Sequence, residues 1–217
     1  MAITPRIAAL TASAVALAGL GVAVWAISQP AADDPFRACR SAGSAVGARI
    51  GGPFTLVDET GATVTDRDVI TRPSLIYFGY SFCPDVCPVD SARNAEAVDL
   101  LDAMGIEVTP VFISIDPRRD TPQVLRDFTD LLHPRMIGLT GTPEQVAAAS
   151  QAYRTYYKIN DATDAEFYTV DHSTLTYLVL PGQGHVESFG RSDTVSPQQL
   201  AERVACFVRT APPEGRG

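Results

Sequence analysis

The chain is short of positive charge and of the side chains that usually hold metals. Seventeen Lys and Arg stand against twenty-five Asp and Glu, a formal net charge of −8. A phosphate backbone would be repelled by such a surface, so nucleic-acid binding is excluded as a function. Histidine is limited to His133, His172 and His185, and cysteine to Cys39, Cys83, Cys87 and Cys206. No internal repeat is visible, and 217 residues suit one core of ordinary size with an appendage.

Charge is absent between Arg6 and Asp33, a mostly apolar stretch longer than the about 20 residues that cross a bilayer as a helix. Arg6 precedes it and Asp33 and Asp34 follow, so the N-terminus is expected in the cytoplasm and the remainder outside. Trp25 falls near the outer end, at headgroup level. Ala26-Ile27-Ser28 loosely fits a signal-peptidase site, but the stretch exceeds a signal core of about 7–15 residues, which favours an uncleaved anchor over 1–28. Either reading exports the domain. The expected organisation is the anchor, a tether over 29–49, a domain over 50–210 and a tail over 211–217. The absence of an Arg- and Ser-rich presequence favours a bacterial inner membrane with the domain in the periplasm; the alternative is the mitochondrial inner membrane, facing the intermembrane space.

From Gly51 the strand and helix signals alternate. Phe54–Val57 and Thr63–Thr65 flank the turn residues Asp58–Gly61 as a hairpin. Ser74–Tyr80 is a continuous apolar run, the pattern of a buried central strand. A helix is expected from Pro88 to about Met104, stopping at Gly105, then a buried strand over Val108–Ile115 and a helix opened by Thr121-Pro122. Thr142-Pro143-Glu144-Gln145 and Ser196-Pro197-Gln198-Gln199 are capping boxes for two more helices. Leu175–Leu180 and His185–Phe189 form a hairpin around Pro181–Gly184. The fold class is therefore α/β, a thioredoxin-like fold with a central mixed sheet flanked by helices, plus one N-terminal transmembrane helix.

Cys83-Pro84-Asp85-Val86-Cys87-Pro88 lies between the Ser74–Tyr80 strand and the next helix. Backbone N–H groups and the positive end of the helix dipole favour thiolate there, the form needed for nucleophilic attack or for metal binding. Three residues separate the cysteines, so a chain already winding into helix puts both on one face. They can meet on one ion or close a redox-active Cys83–Cys87 disulfide, and the two outcomes compete for the same sulfurs. Two thiolates nearly satisfy Cu(I); other metals want more. His133, before Pro134 at a helix end, reads as a surface or C-cap residue, and His185 as an exposed hairpin residue. His172 ends a loop and enters the Ser173–Leu180 strand, which should neighbour the cysteine strand. A loop histidine is ordinarily a hydrogen-bonded structural residue, but its place opposite the cysteines makes it the expected third ligand. A Cys₂His set suits copper in either oxidation state; a fourth protein ligand for structural zinc is not found.

The run Phe78-Gly79-Tyr80-Ser81-Phe82-Cys83-Pro84-Asp85-Val86-Cys87-Pro88 resembles the signature of the SCO/SenC family, copper chaperones of cytochrome c oxidase assembly. The resemblance continues at Phe112–Pro122 (FISIDPRRDTP), Gly138–Thr142 and Val170-Asp171-His172-Ser173, and covers about residues 50–208. It implies metal ligands at Cys83, Cys87 and His172, a single-span inner-membrane protein, and delivery of copper to the CuA site of cytochrome c oxidase subunit II. Some members look able to reduce that subunit's cysteines. Another copper carrier or a thioredoxin-like reductant is a further expected partner. The turn Pro181-Gly182-Gln183-Gly184 departs from the family's Pro-Asp-Gly form, away from the ligands.

The resemblance also marks Asp116 and Arg119 for supporting or docking roles, against the plainer reading that Asp116-Pro117 ends a strand while Asp120 and Thr121 cap a helix. Asp85 either tunes the thiolates or faces a partner. Cys39 and Cys206 remain, and in an oxidising compartment a leftover pair suggests a structural bridge. Closing so long a loop is worth about 5 kcal/mol in chain-entropy terms. Three functions follow in order: a copper chaperone with no turnover chemistry, a thiol–disulfide oxidoreductase using Cys83 and Cys87 alone, and a peroxidase-like activity suggested only by the fold.

Overall fold

A computed structural model of the protein describes residues 19–22, 24–25, 34–40, 50–160 and 167–212. The expected anchor over 1–28 lies outside the described residues except for 19–22 and 24–25, which are helical. Among the described residues no helix is long and apolar enough to cross a membrane. The tether expected over 29–49 is likewise described only at 34–40, and the tail only at 211 and 212.

The domain opens with the expected hairpin, β1 (Thr55–Asp58) and β2 (Thr63–Thr65), paired antiparallel with Leu56 opposite Val64. The Asp58 carboxylate accepts from the backbone of Thr60 and Ala62 at 2.8 and 3.0 Å, and Gly61 takes the left-handed φ of +84° that the turn requires. A four-residue helix follows, α1 (Asp66–Val69), capped by Thr65 through a box with Asp68. The sequence reading missed this turn because it is too short to carry a period.

Next come β3 (Ser74–Gly79), α2 (Val86–Ala103), β4 (Thr109–Ser114), α3 (Pro122–Asp130), β5 (Ile137–Thr140) and α4 (Pro143–Ala152). The chain ends with β6 (Tyr157–Asn160), β7 (Thr169–His172), β8 (Thr176–Leu180), β9 (Gly184–Phe189) and α5 (Pro197–Thr210). Seven strands form one mixed sheet in the order β2-β1-β5-β4-β3-β8-β9, with β3, β4 and β5 parallel and the outer pairs antiparallel. Thr121, Thr142 and Ser196 cap α3, α4 and α5 from their side chains, each with Pro at N1.

Two apolar clusters hold the layers together. One joins Leu75, Leu178 and Leu180 to Val98 and Leu101 of α2 and to Leu200, Val204 and Phe207 of α5. The other gathers Ile76, Phe78, Phe112 and Ile113 of the central strands and closes around Cys83 and Cys87. The strand read as ending at Tyr80 gives up its ladder at Gly79, and both cysteines follow the C-terminal end of this interior strand, within the second cluster.

Phe36 and Cys39, inside the stretch read as tether, are buried in the first cluster. The Phe36 ring lies 5.4 Å from that of Phe207. Cys39 is disulfide-bonded to Cys206 of α5, with 5.6 Å between the Cα atoms.

One element departs from the expected order. Strands β6 and β7 pair with each other as a separate two-stranded ribbon, with Tyr157 opposite His172. His172 is thus the last residue of a strand rather than the end of a loop, and Ser173–Leu175 intervene before β8. The four-residue strings YKIN and TVDH carry too little alternation to announce themselves, and eight residues separate them.

Candidate metal centre

The helix α2 begins at Val86, two residues before the proline expected to open it. Cys87 therefore lies in its first turn, where backbone N–H groups have no helical acceptor. Pro88, third in the helix, has no N–H to leave unpaired. Asp85 occupies the N-cap position but makes no side-chain cap. A sulfur takes that place: the Cys87 N–H points at Cys83 Sγ, 3.4 Å away. The Cys83 N–H itself donates to the Tyr80 carbonyl at 3.2 Å, closing the loop.

His172 reaches this loop from the ribbon. Its Nε2 is 3.2 Å from Cys87 Sγ. Its Nδ1 is 2.8 Å from the Ser173 carbonyl. A carbonyl can only accept, so Nδ1 carries the proton and the Nε2 lone pair faces the sulfurs. This is the tautomer a metal requires, fixed by a backbone group as metal-ligating histidines commonly are. The three donor atoms all lie within 4.8 Å of one another. Tyr77 and Tyr80 wall the imidazole edge-on, with ring centroids 6.2 and 6.0 Å away.

The two sulfurs differ in charge. The Cys87 thiol bonds to Cys83, and the N–H groups of Asp85 and Cys87 add to it; together they hold the Cys83 pKa well below the ordinary thiol range despite burial. Cys87 is pushed far above that range, first by sharing its proton with Cys83 and then by burial. The reduced pair is thus one thiolate and one thiol, with a single proton between them.

Asp116 and Arg119 lie beside this centre and do more than end a strand. Asp116 is fully buried, and Arg119 Nε donates to its carboxylate at 2.5 Å. The Tyr168 hydroxyl donates to the other Asp116 oxygen at 2.5 Å. The Arg119 guanidinium lies 3.6 Å over the Tyr168 ring, 5.0 Å from that of Phe82 and 5.6 Å from that of Tyr80.

Of the expected helix caps, Thr121 behaves as one. Asp120 does not. It turns inward, where its carboxylate accepts from the Ser81 N–H at 3.1 Å, from the Ser114 hydroxyl at 2.6 Å, and from the Ser81 hydroxyl. Burial still pushes its pKa up against these donors. An aspartate beside a helix-opening Thr-Pro reads as a cap, and only its contact with a residue 39 positions away reveals the inward turn.

The other histidines stay out of the centre. His133 is buried rather than on the surface; its Nδ1 accepts from the Arg135 N–H at 3.0 Å, and its Nε2 faces Asp99 at 3.4 Å. His185 is half-buried rather than exposed, 2.8 Å from the Ser188 hydroxyl, and burial lowers its pKa. Tyr80 and Tyr168 were passed over as site residues, although Tyr80 sits inside the cysteine motif and Tyr168 two residues before Val170.

Known proteins agree with this architecture. The chain is 55% identical over 208 residues to the protein SenC of Rhodobacter capsulatus, covering 96% of this chain and 93% of that one. A crystal structure of Arabidopsis thaliana ScoI with copper bound superposes with a TM-score of 0.70 at 36% identity, over 75% of this chain and 99% of that one. Yeast Sco1 with copper bound gives 0.72 at 34% identity, over 77% and 92%. The sequence pattern of SCO1/SenC matches residues 42–209. With the thioredoxin-like layering, the cysteine loop and the histidine ribbon all in place, the chain belongs to the SCO1/SenC family.

Proposed function

We propose that this protein is a copper chaperone that holds one copper ion on Cys83, Cys87 and His172 and hands it to the CuA site of cytochrome c oxidase subunit II. Its family is associated with copper binding and with assembly of that oxidase. The observation that carries the reading is the 3.2 Å approach of His172 Nε2 to Cys87 Sγ, with the ring's other nitrogen committed to a carbonyl. Soft sulfur with imidazole suits copper in both oxidation states. Three protein ligands leave room for a receiver's ligand to enter, so the ion passes by ligand exchange with no turnover chemistry. Phe82 and Val89, each 54% exposed beside the cysteines, supply apolar surface for such a partner. The domain is held by residues 1–28 on the outer side of the inner membrane, in the bacterial periplasm.

A second reading keeps the sulfurs and drops the metal. The thiolate of Cys83 beside the protonated Cys87 is the arrangement of a dithiol that attacks a partner's disulfide and resolves it. His172→Ala separates the two. The full-length protein in detergent is titrated with Cu(II) and, separately, assayed for reduction of a disulfide substrate. The chaperone reading expects Cu(II) affinity to fall by at least about 10-fold while disulfide reduction persists. Cu(II) affinity equal to wild type would remove His172 from the ligand set and leave the dithiol reading.

A further inference from the structure

The imidazole of His172 is carried by a ribbon that is not hydrogen-bonded into the seven-stranded sheet. Something else must set its height above the sulfurs. Tyr168 and Val170 are buried in the cluster around the cysteines, and three hydrogen bonds tie the start of β7 to the body of the fold. The Tyr168 hydroxyl donates to Asp116. Arg119 Nη1 donates to the Tyr168 carbonyl at 3.0 Å. The Val170 N–H donates to the Tyr80 hydroxyl at 3.3 Å. Arg119 is central to this set, because it pairs with Asp116, stacks on Tyr168 and faces the rings of Tyr80 and Phe82 in the cysteine loop.

An ion pair with side-chain exposures of 9% and 0% is costly to bury and contributes little net stability over an apolar packing. Its use here is geometric. A planar guanidinium can stack on one ring while donating along its edge to a carboxylate and a carbonyl, which a lysine cannot do. We infer that Arg119, seated on Asp116 and Tyr168, is the positioning residue that holds His172 over the cysteine pair, and so decides whether the centre presents three ligands or two. The inference rests on the copper-carrier reading and assigns the third ligand's placement to a residue that does not touch the ion.

The test uses full-length protein in detergent with the variants Arg119→Gln, Tyr168→Phe and His172→Ala, and Arg119→Gln combined with His172→Ala. Each is titrated with Cu(II) and with Cu(I) against a competing chelator, and the Cu(II) forms are examined by electron paramagnetic resonance for nitrogen hyperfine coupling. Arg119→Gln should weaken Cu(II) binding by about 10–100-fold, the usual range for residues that orient a ligand. Nitrogen coupling should weaken with it, while Cu(I), held by two sulfurs, keeps its affinity. In the His172→Ala background the same change should add nothing further. Tyr168→Phe, which loses one hydroxyl bond and keeps the ring, should give a smaller loss in the same direction and serves if Arg119→Gln does not fold. Wild-type Cu(II) affinity and coupling in these variants would overturn the inference. So would an Arg119→Gln loss of the same size with and without His172. Absence of nitrogen coupling in the unmodified protein would instead overturn the copper-carrier reading, and this inference with it.

Discussion

Cys87 Sγ and His172 Nε2 stand 3.2 Å apart although they are 85 positions apart along the chain. The contact joins the first turn of a helix to the last residue of a strand, and it puts a buried thiol against the one imidazole nitrogen with a free lone pair. Most of the measurable behaviour of the centre follows from how that proton and the Cys83 charge are shared.

Reactivity should be strongly unequal. Cys83 has its pKa lowered, so its thiolate persists as pH falls well below the about 8.5 of a free thiol. Cys87 has its pKa raised, so it stays protonated through neutral pH and into the alkaline range. Brief iodoacetamide treatment of the reduced apoprotein at pH 6 should alkylate Cys83 and spare Cys87, as read by peptide mass spectrometry. Equal labelling of both would contradict the assignment of charge.

Metal loading should release few protons. One sulfur is already ionised and the other is a thiol, so binding Cu(I) to the pair at pH 7 should liberate about one proton per ion. Titration in weak buffer with a pH indicator counts it. A release of about two would mean that both thiols are protonated in the apoprotein.

Gly79 guards the site from beneath. A Cβ there would meet Tyr77 Cε1 at 2.9 Å, Cys87 Sγ at 3.0 Å and Phe112 Cε2 at 3.1 Å. All three belong to the packed cluster around the cysteines, so none can retreat freely. Gly79→Ala should cost about 1–3 kcal/mol of stability through overpacking and weaken copper binding by displacing the Cys87 sulfur. Denaturant unfolding and copper titration on the same preparation check both, and wild-type values in each would show that the cluster yields.

The Cys39–Cys206 bridge should act on stability and leave the centre alone. Changing both residues to serine removes the cross-link and should destabilise the domain by about 2–5 kcal/mol. Copper affinity should remain that of wild type, because the bridge belongs to the Phe36–Phe207 cluster and Cys83 and Cys87 to the other. Loss of copper binding in a variant that still folds would show the two clusters to be coupled.

What the sequence made legible was whatever depends on local chemistry. The Thr-Pro and Ser-Pro openings of α3, α4 and α5 are capping patterns complete within four residues, and each helix starts where its pattern places it. The apolar run of β3 and the hairpin turn at Asp58 are local in the same sense. The ribbon of β6 and β7 was not legible, because its strands owe their form to pairing across an interval of the chain and to packing against Tyr80 and Asp116. Asp120 escaped for the same reason: its loop and residue type suit a cap, and only a partner far along the chain turns it inward. Arg119 was marked for a supporting or docking role by the family resemblance alone, and its contact with Tyr168 lies too far along the chain for local chemistry to show. The start of α2 was misplaced by two residues because Pro88 signals a first turn without fixing which position of that turn it fills.

The division between sheet and ribbon gives the protein two grips of different make. The sulfurs stand where a central strand runs into a helix, whereas the imidazole ends a ribbon that roots Tyr168 and Val170 in the same buried cluster and is tied by polar contacts to Tyr80, Asp116 and Arg119. On the copper-carrier proposal, an acceptor that displaces the imidazole first leaves the ion on the sulfurs alone.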